Sequence, residues 1–257
     1  MAQALAPEPA RPLRLPLGGK LRIAIRISAM LALLLGCVPL FYLARIFVRH
    51  NPVPRLFLGG IGWIAGVDVR VQGKRVSRGA FLLANHVSWI DIPAISAATG
   101  SAFVGHDGLA STPLLKWLCA MNDTVFVARH DRFSIQRQVA AVRAAIRDTG
   151  ALTVFPEGTT SDGTGLLPFK SSLLSALDPL PAGIAVQPVL LDYGPQAAAI
   201  AWVGEEHGLH NFLRILARSR PVVLTVRFLP PLEGAALANR KTIAAAAREA
   251  MAAALSL

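Results

Sequence analysis

The chain has 257 residues and a net charge of +11, from 26 Lys and Arg against 15 Asp and Glu. It is 53% hydrophobic and 16% charged, where soluble domains carry about a quarter charged residues. With a mean hydropathy of +0.49, part of its surface is expected to face lipid. Two cysteines exclude a disulfide framework and a metal cluster built on thiolates.

Residues 1–19, rich in Pro, Ala and Leu without helical period, predict a disordered leader. Residues 27–44 carry no charge, the lower edge of length for a spanning helix, and Pro39 interrupts them. Three readings compete: one transmembrane helix, a kinked helix pair held in one leaflet, or a signal peptide ending near Leu34-Leu35-Gly36-Cys37. Seven basic residues against one acid (Glu8) fall within residues 1–50, more than half of the net excess. Because they bracket the most apolar stretch, the excess points to a membrane surface. No basic run is interleaved with aromatics, so nucleic acid is not expected as a partner. In residues 45–65, Arg45, Arg49 and Arg55 either meet phosphate headgroups or lie in water on a helix packed on the domain.

Residues 66–76 alternate and predict an edge strand or hairpin. The apolar run 79–84 predicts a buried strand, and Ile92-Pro93 predicts the start of a helix. Between them lies Asn85-His86-Val87-Ser88-Trp89-Ile90-Asp91. In a continuous helix His86 and Asp91 would sit about 140° apart; at a strand-to-helix turn they can meet. A carboxylate beside an imidazole fixes its tautomer and steadies its charged form, which makes a general base. The simpler alternative is a lone histidine in a turn with Asp91 as an ordinary helix cap.

Further strands are predicted at 101–105, 123–128, 152–155, 184–191, 197–203 and 222–229, and helices at 113–121, 133–148, 171–177, 209–218 and 235–255. The alternation predicts a single α/β domain with a mixed, largely parallel sheet flanked by helices, plus an N-terminal membrane-anchoring helix or helix pair. The expected division is leader 1–19, anchor and interfacial segment 20–65, and a catalytic domain over 66–257. Three strand ends carry polar groups: His86 with Asp91, Arg129, and Glu157-Gly158-Thr159. Ligands gather at the carboxyl ends of strands in such sheets. Arg129 either grips a phosphate or pairs with Asp131. The loop Phe155-Pro156-Glu157-Gly158-Thr159-Thr160-Ser161-Asp162-Gly163 offers N–H groups to an anion or oxyanion, or is a structural turn.

The motifs NHxSWxD (85–91), TVFVxR (124–129), FPEGT (155–159) and VQPV (186–189) occur in that order. Over roughly residues 66–229 the chain resembles the glycerolipid acyltransferases related to 1-acylglycerol-3-phosphate acyltransferase. The resemblance implies transfer of a fatty acyl group from acyl-CoA or acyl carrier protein to a lysolipid hydroxyl. The acceptor it implies first is 1-acylglycerol-3-phosphate, giving phosphatidic acid. Carried over residue by residue, His86 is the general base and Asp91 orients it. Ser88, Arg129, Glu157, Gly158, Thr159 and Lys170 bind substrate, and Pro188 shapes the site wall. No metal and no cofactor are implied; the thioester is a co-substrate. The partners are a lysolipid, an acyl donor and the cytoplasmic face of a bacterial-type inner membrane. One departure stands out: the family's third motif continues with Arg where this chain has Thr160, which turns the expectation toward lyso-ornithine lipid or another lysolipid, with Lys170, Arg129 or Arg132 as substitute charges. Rival classes are a hydrolase built on His86, Asp91, His106 and Asp107, and a non-catalytic module that binds anionic lipid.

Overall fold

The computed structural model describes residues 15–48, 50–106, 113–122, 124–127 and 135–255. Most of the expected leader, residues 1–14, lies outside them, as do Arg49, Asp107, Arg129, Asp131 and Arg132 and the side chain of His106.

The sheet is built around β2 (Ala80–Ala84), whose five residues are all buried. Alternate side chains point to opposite faces, and each face has its own core. Ala80, Leu82 and Ala84 join Ile95, Ile215 and Leu224 on one side. Phe81 and Leu83 join Leu152, Val186 and Met251 on the other. A strand covered on both faces reads as an unbroken apolar run. Around it stand β1 (Val67–Gln72), β3 (Ala102–His106), β4 (Val125–Val127), β5 (Ala151–Val154), β6 (Ala185–Asp192) and β7 (Val222–Phe228). The order is β1-β7-β6-β2-β5-β3-β4. Neighbours run parallel except β6 and β7, which are antiparallel. The sheet is therefore mixed and largely parallel, as the alternation predicts, with β1 at one edge.

The helices are α1 (Leu17–Phe47), α2 (Val53–Ala65), α3 (Asp91–Thr99), α4 (Pro113–Met121), α5 (Ile135–Thr149), α6 (Ala197–Ile200), α7 (Gly208–Leu216) and α8 (Arg240–Leu255). Two expectations change. Residues 17–19 belong to α1 rather than to the leader. Residues 197–203, read as a strand, form one helical turn followed by an irregular strap. Three consecutive alanines favour helix, and the strap is held by tertiary bonds described below.

α1 passes unbroken through Pro39. Its 31 residues span about 46 Å at 1.5 Å per residue. By length and composition it is able to cross a membrane, and Leu21, Leu35, Ile46 and Phe47 on it are exposed. α2 is a second, shorter apolar helix that packs on both α1 and α3. Its glycines permit that closeness: a Cβ at Gly60 would lie 2.6 Å from Leu33, and one at Gly62 3.3 Å from Pro93. Trp63 on α2 is 79% exposed.

The basic residues of this region do more than flank lipid. Arg26 Nη1 donates to the Leu216 and Arg218 carbonyls at 2.8 and 3.2 Å, and Arg22 Nε donates to Ala217 O at 2.9 Å. These are the carbonyls that the end of α7 leaves unpaired, where a cation is favoured. Arg55 likewise donates to Ala97 O near the end of α3, at 2.9 Å through Nη2. Arg55 thus stands on a helix packed on the domain, but its guanidinium is bonded to a carbonyl rather than left to water. Arg26→Ala is expected to cost about 1.5–3 kcal/mol, the range for hydrogen bonds to charged groups. Thermal unfolding in detergent measures that loss, and limited proteolysis should cut between α1 and the domain sooner.

Candidate active site

The turn after β2 is organised by Asn85 and Asp91. Asn85 is buried, and its side chain accepts from Leu191 N at 2.7 Å and donates to Leu191 O at 3.1 Å. It thereby prolongs the ladder to β6 while the main chain turns away. Asp91, in the first turn of α3, reaches back over the turn. Its Oδ2 accepts Val87 N at 2.6 Å, Ser88 N at 2.9 Å and the His86 ring through Nδ1 at 2.7 Å. Its Oδ1 accepts the Tyr193 hydroxyl. The carboxylate is wholly buried.

An ionised carboxylate only accepts, so the proton on the His86 ring is assigned to Nδ1, leaving Nε2 as the basic nitrogen. The ring stacks on Phe155, centroids 4.2 Å apart and planes 21° off parallel. Its side chain is 19% exposed and borders a cavity of about 680 Å³. The same cavity is lined by Leu34 and Val38 of α1, Val53 and Phe57 of α2, and Leu118 and Met121 of α4. The anchor helices thus form part of its wall.

The loop after β5 closes over the same turn. His86 O accepts Ser161 N at 2.7 Å and the Ser161 hydroxyl at 3.1 Å. Gly158, Thr159 and Thr160 border the cavity. Gly158 has φ +67°, and a Cβ there would lie 3.1 Å from Lys170 Nζ, so the exposed lysine lays its ammonium over this glycine. The Thr160 hydroxyl donates to Trp202 O, and Trp202 N donates to Val87 O at 2.9 Å. The strap 201–206 is thus stitched across both the turn and the loop, and Trp202, Val203 and Gly204 form cavity wall.

Several expected substrate residues stand elsewhere. Ser88 is wholly buried and its hydroxyl donates to Asn211 Oδ1 at 3.3 Å, behind the turn rather than in the cavity. Pro188 is buried in β6 opposite Leu83 and takes no part in the cavity wall. Glu157 is 1% exposed, and neither carboxylate oxygen has a hydrogen-bond partner among the described residues. Burial first, then the negative charge of Asp91, push its carboxyl up to about 8, against a weaker pull from the His86 main chain and the Ser161 hydroxyl. Among the described residues it makes no salt bridge, and it does not border the cavity. Arg129 lies outside the described residues; β4, which leads to it, ends at Val127.

Sequence reasoning missed Tyr193, Asn211 and Glu206. Glu206 accepts from Arg214, His210 and Asn211 at 2.7–3.0 Å. Burial alone would raise its carboxyl, and those donors outweigh it, taking the group to about 2. Tyr193 had a legible signal: like His86 it follows the carboxyl end of a strand.

The acyltransferase family model matches residues 68–192. A lyso-ornithine lipid O-acyltransferase of Rhodobacter capsulatus is 31% identical over 95% of this chain and 93% of its own length. The chain belongs to the lysolipid acyltransferases. A 1-acyl-sn-glycerol-3-phosphate acyltransferase of Neisseria gonorrhoeae is 37% identical over 52% of this chain and 53% of its own. The crystal structure of the 1-acyl-sn-glycerophosphate acyltransferase PlsC from Thermotoga maritima shares the fold, with TM-score 0.64 and 19% identity over 93% of this chain and 96% of that one. As a lysolipid acyltransferase the protein takes an acyl donor and a lysolipid acceptor.

Proposed function

We propose that the enzyme moves an acyl group from a thioester, acyl-CoA or acyl carrier protein, to the hydroxyl of lyso-ornithine lipid, with His86 as general base. The observation that carries this reading is His86, its Nδ1 bound to Asp91, bordering an apolar cavity that residues of both anchor helices also line. A hydroxyl is a poor nucleophile at pH 7. Nε2 takes its proton as the oxygen bonds to the thioester carbonyl carbon. The C–S bond then breaks, and the imidazolium returns the proton to the leaving thiolate. Asp91 stabilises the imidazolium in between.

The developing oxyanion needs N–H donors. Val87 N and Ser88 N are committed to Asp91, and Gly158 N to Phe155 O at 3.0 Å. Thr159 and Thr160 border the cavity and their main-chain N–H groups have no acceptor among the described residues, so the oxyanion role falls to them. Apolar cavity walls suit an acyl chain, and α1 keeps the site at the cytoplasmic face of the inner membrane, beside its lipid acceptor.

Two observations favour lyso-ornithine lipid over 1-acylglycerol-3-phosphate. A relative of that name is similar over nearly the whole chain. At position 160, where the family resemblance leads one to expect an arginine, a threonine turns its hydroxyl into the Trp202 carbonyl. The test offers the purified enzyme labelled acyl-CoA or acyl carrier protein with either lysolipid. The expected result is a kcat/KM at least about tenfold higher for lyso-ornithine lipid, equivalent to about 1.4 kcal/mol. Preference for the glycerophosphate acceptor would overturn the assignment.

A further inference from the structure

We infer that Tyr193 is a positioning residue of the reaction: its buried hydroxyl holds the free oxygen of Asp91, so that the carboxylate serves the histidine only as an acceptor. The inference rests on the reading of His86 as base. Tyr193 lies just past the end of β6, is 3% exposed and does not border the cavity. It therefore touches neither substrate. Its hydroxyl donates to Asp91 Oδ1, the oxygen that the turn leaves over after Val87 N, Ser88 N and the His86 ring have taken Oδ2.

Two consequences follow from that division. Oδ2 faces only donors that fix the turn and the ring, so the plane of the carboxylate is set from both ends. The phenol also gives the buried Oδ1 its one donor among the described residues. Without it, a wholly buried oxygen is left unpaired, and Asp91 becomes more basic. The His86–Asp91 pair then holds its proton more firmly, and less enzyme has a free base at a given pH. The titratable groups that face Asp91 are His86 from the turn, Tyr193 from β6 and Glu157 from the loop after β5. Pair titration is a property of the coupled set, so the comparison is repeated in a Glu157→Gln background.

Tyr193→Phe removes only the hydroxyl. Its kcat is expected to fall roughly tenfold, a fraction of the 10²–10⁴ that a general base contributes, with KM for both substrates unchanged. The acid limb of the log kcat/KM profile should move up by about one pH unit, the scale of one hydrogen bond to a charge. A second substitution keeps the shape. The chain has two tyrosines, so 3-fluorotyrosine grown into a Tyr42→Phe background marks position 193 alone. As a stronger donor it should move the limb down. A limb that stays in place in both proteins, whatever the rate, overturns the inference, as does a rise in KM alone. His86→Ala is assayed alongside. If it retains transfer, the reading of the base fails; if it is inactive while Tyr193→Phe behaves as wild type, this inference alone fails.

Discussion

His86→Ala is expected to lower acyl transfer by roughly 10³-fold, within the range of about 10²–10⁴ for loss of a positioned base, while leaving the fold intact. Among the described residues the side chain makes one hydrogen bond and one ring contact, and its main-chain carbonyl keeps both bonds from Ser161. The damage should therefore appear in kcat and not in KM. Cys119→Ala supplies the control against a covalent route. The thiol borders the same cavity, but burial raises its proton affinity, with only partial relief from Thr124. A thiol held that way is a poor nucleophile, so its loss should leave the rate within a few-fold. Transfer from labelled acyl-CoA to the lysolipid, followed by chromatography of the product, measures both. Undiminished transfer in the His86 variant would remove the base. Release of free fatty acid in place of acyl transfer, abolished by a chelator, would favour the hydrolase class.

The His86–Asp91 pair is legible in the sequence for a local reason. Both residues sit within one local turn, and the strand before it declares itself by five apolar residues in a row. The same holds for α8, whose buried Ile243, Ala244, Ala247 and Met251 keep helical spacing. What sequence could not give was anything decided by distant partners. Arg22 and Arg26 looked like lipid-facing flanks because their acceptors lie 190 or more positions away. The strap at 201–206 looked like part of a strand because its bonds to Val87 and Thr160 are tertiary. The reversed direction of β7 against β6 leaves no local trace. Glu157 belongs to the same group: a carboxylate in a polar loop reads as a ligand, and only packing shows it shut away from the cavity.

That burial sets a second large effect, in stability rather than rate. Unfolded, Glu157 loses its proton near 4.5; folded, it keeps the proton up to about 8. Between those values the native state binds more protons than the unfolded state, so stability falls as pH rises through that window and levels off above it. At 1.36 kcal/mol per pH unit the full difference is on the order of 4–5 kcal/mol, a large share of a typical 5–15 kcal/mol. Glu157→Gln keeps the shape and cannot ionise. Its amide adds donors where the native oxygens have no partners, so some constant loss is expected at pH 4.5. Above that the variant should hold level while the wild type declines, and the two curves should cross or converge before pH 8. Denaturant unfolding in detergent at half-unit steps of pH resolves this. Parallel curves across the window would mean that the native protein holds Glu157 ionised, and would overturn this reading of its burial.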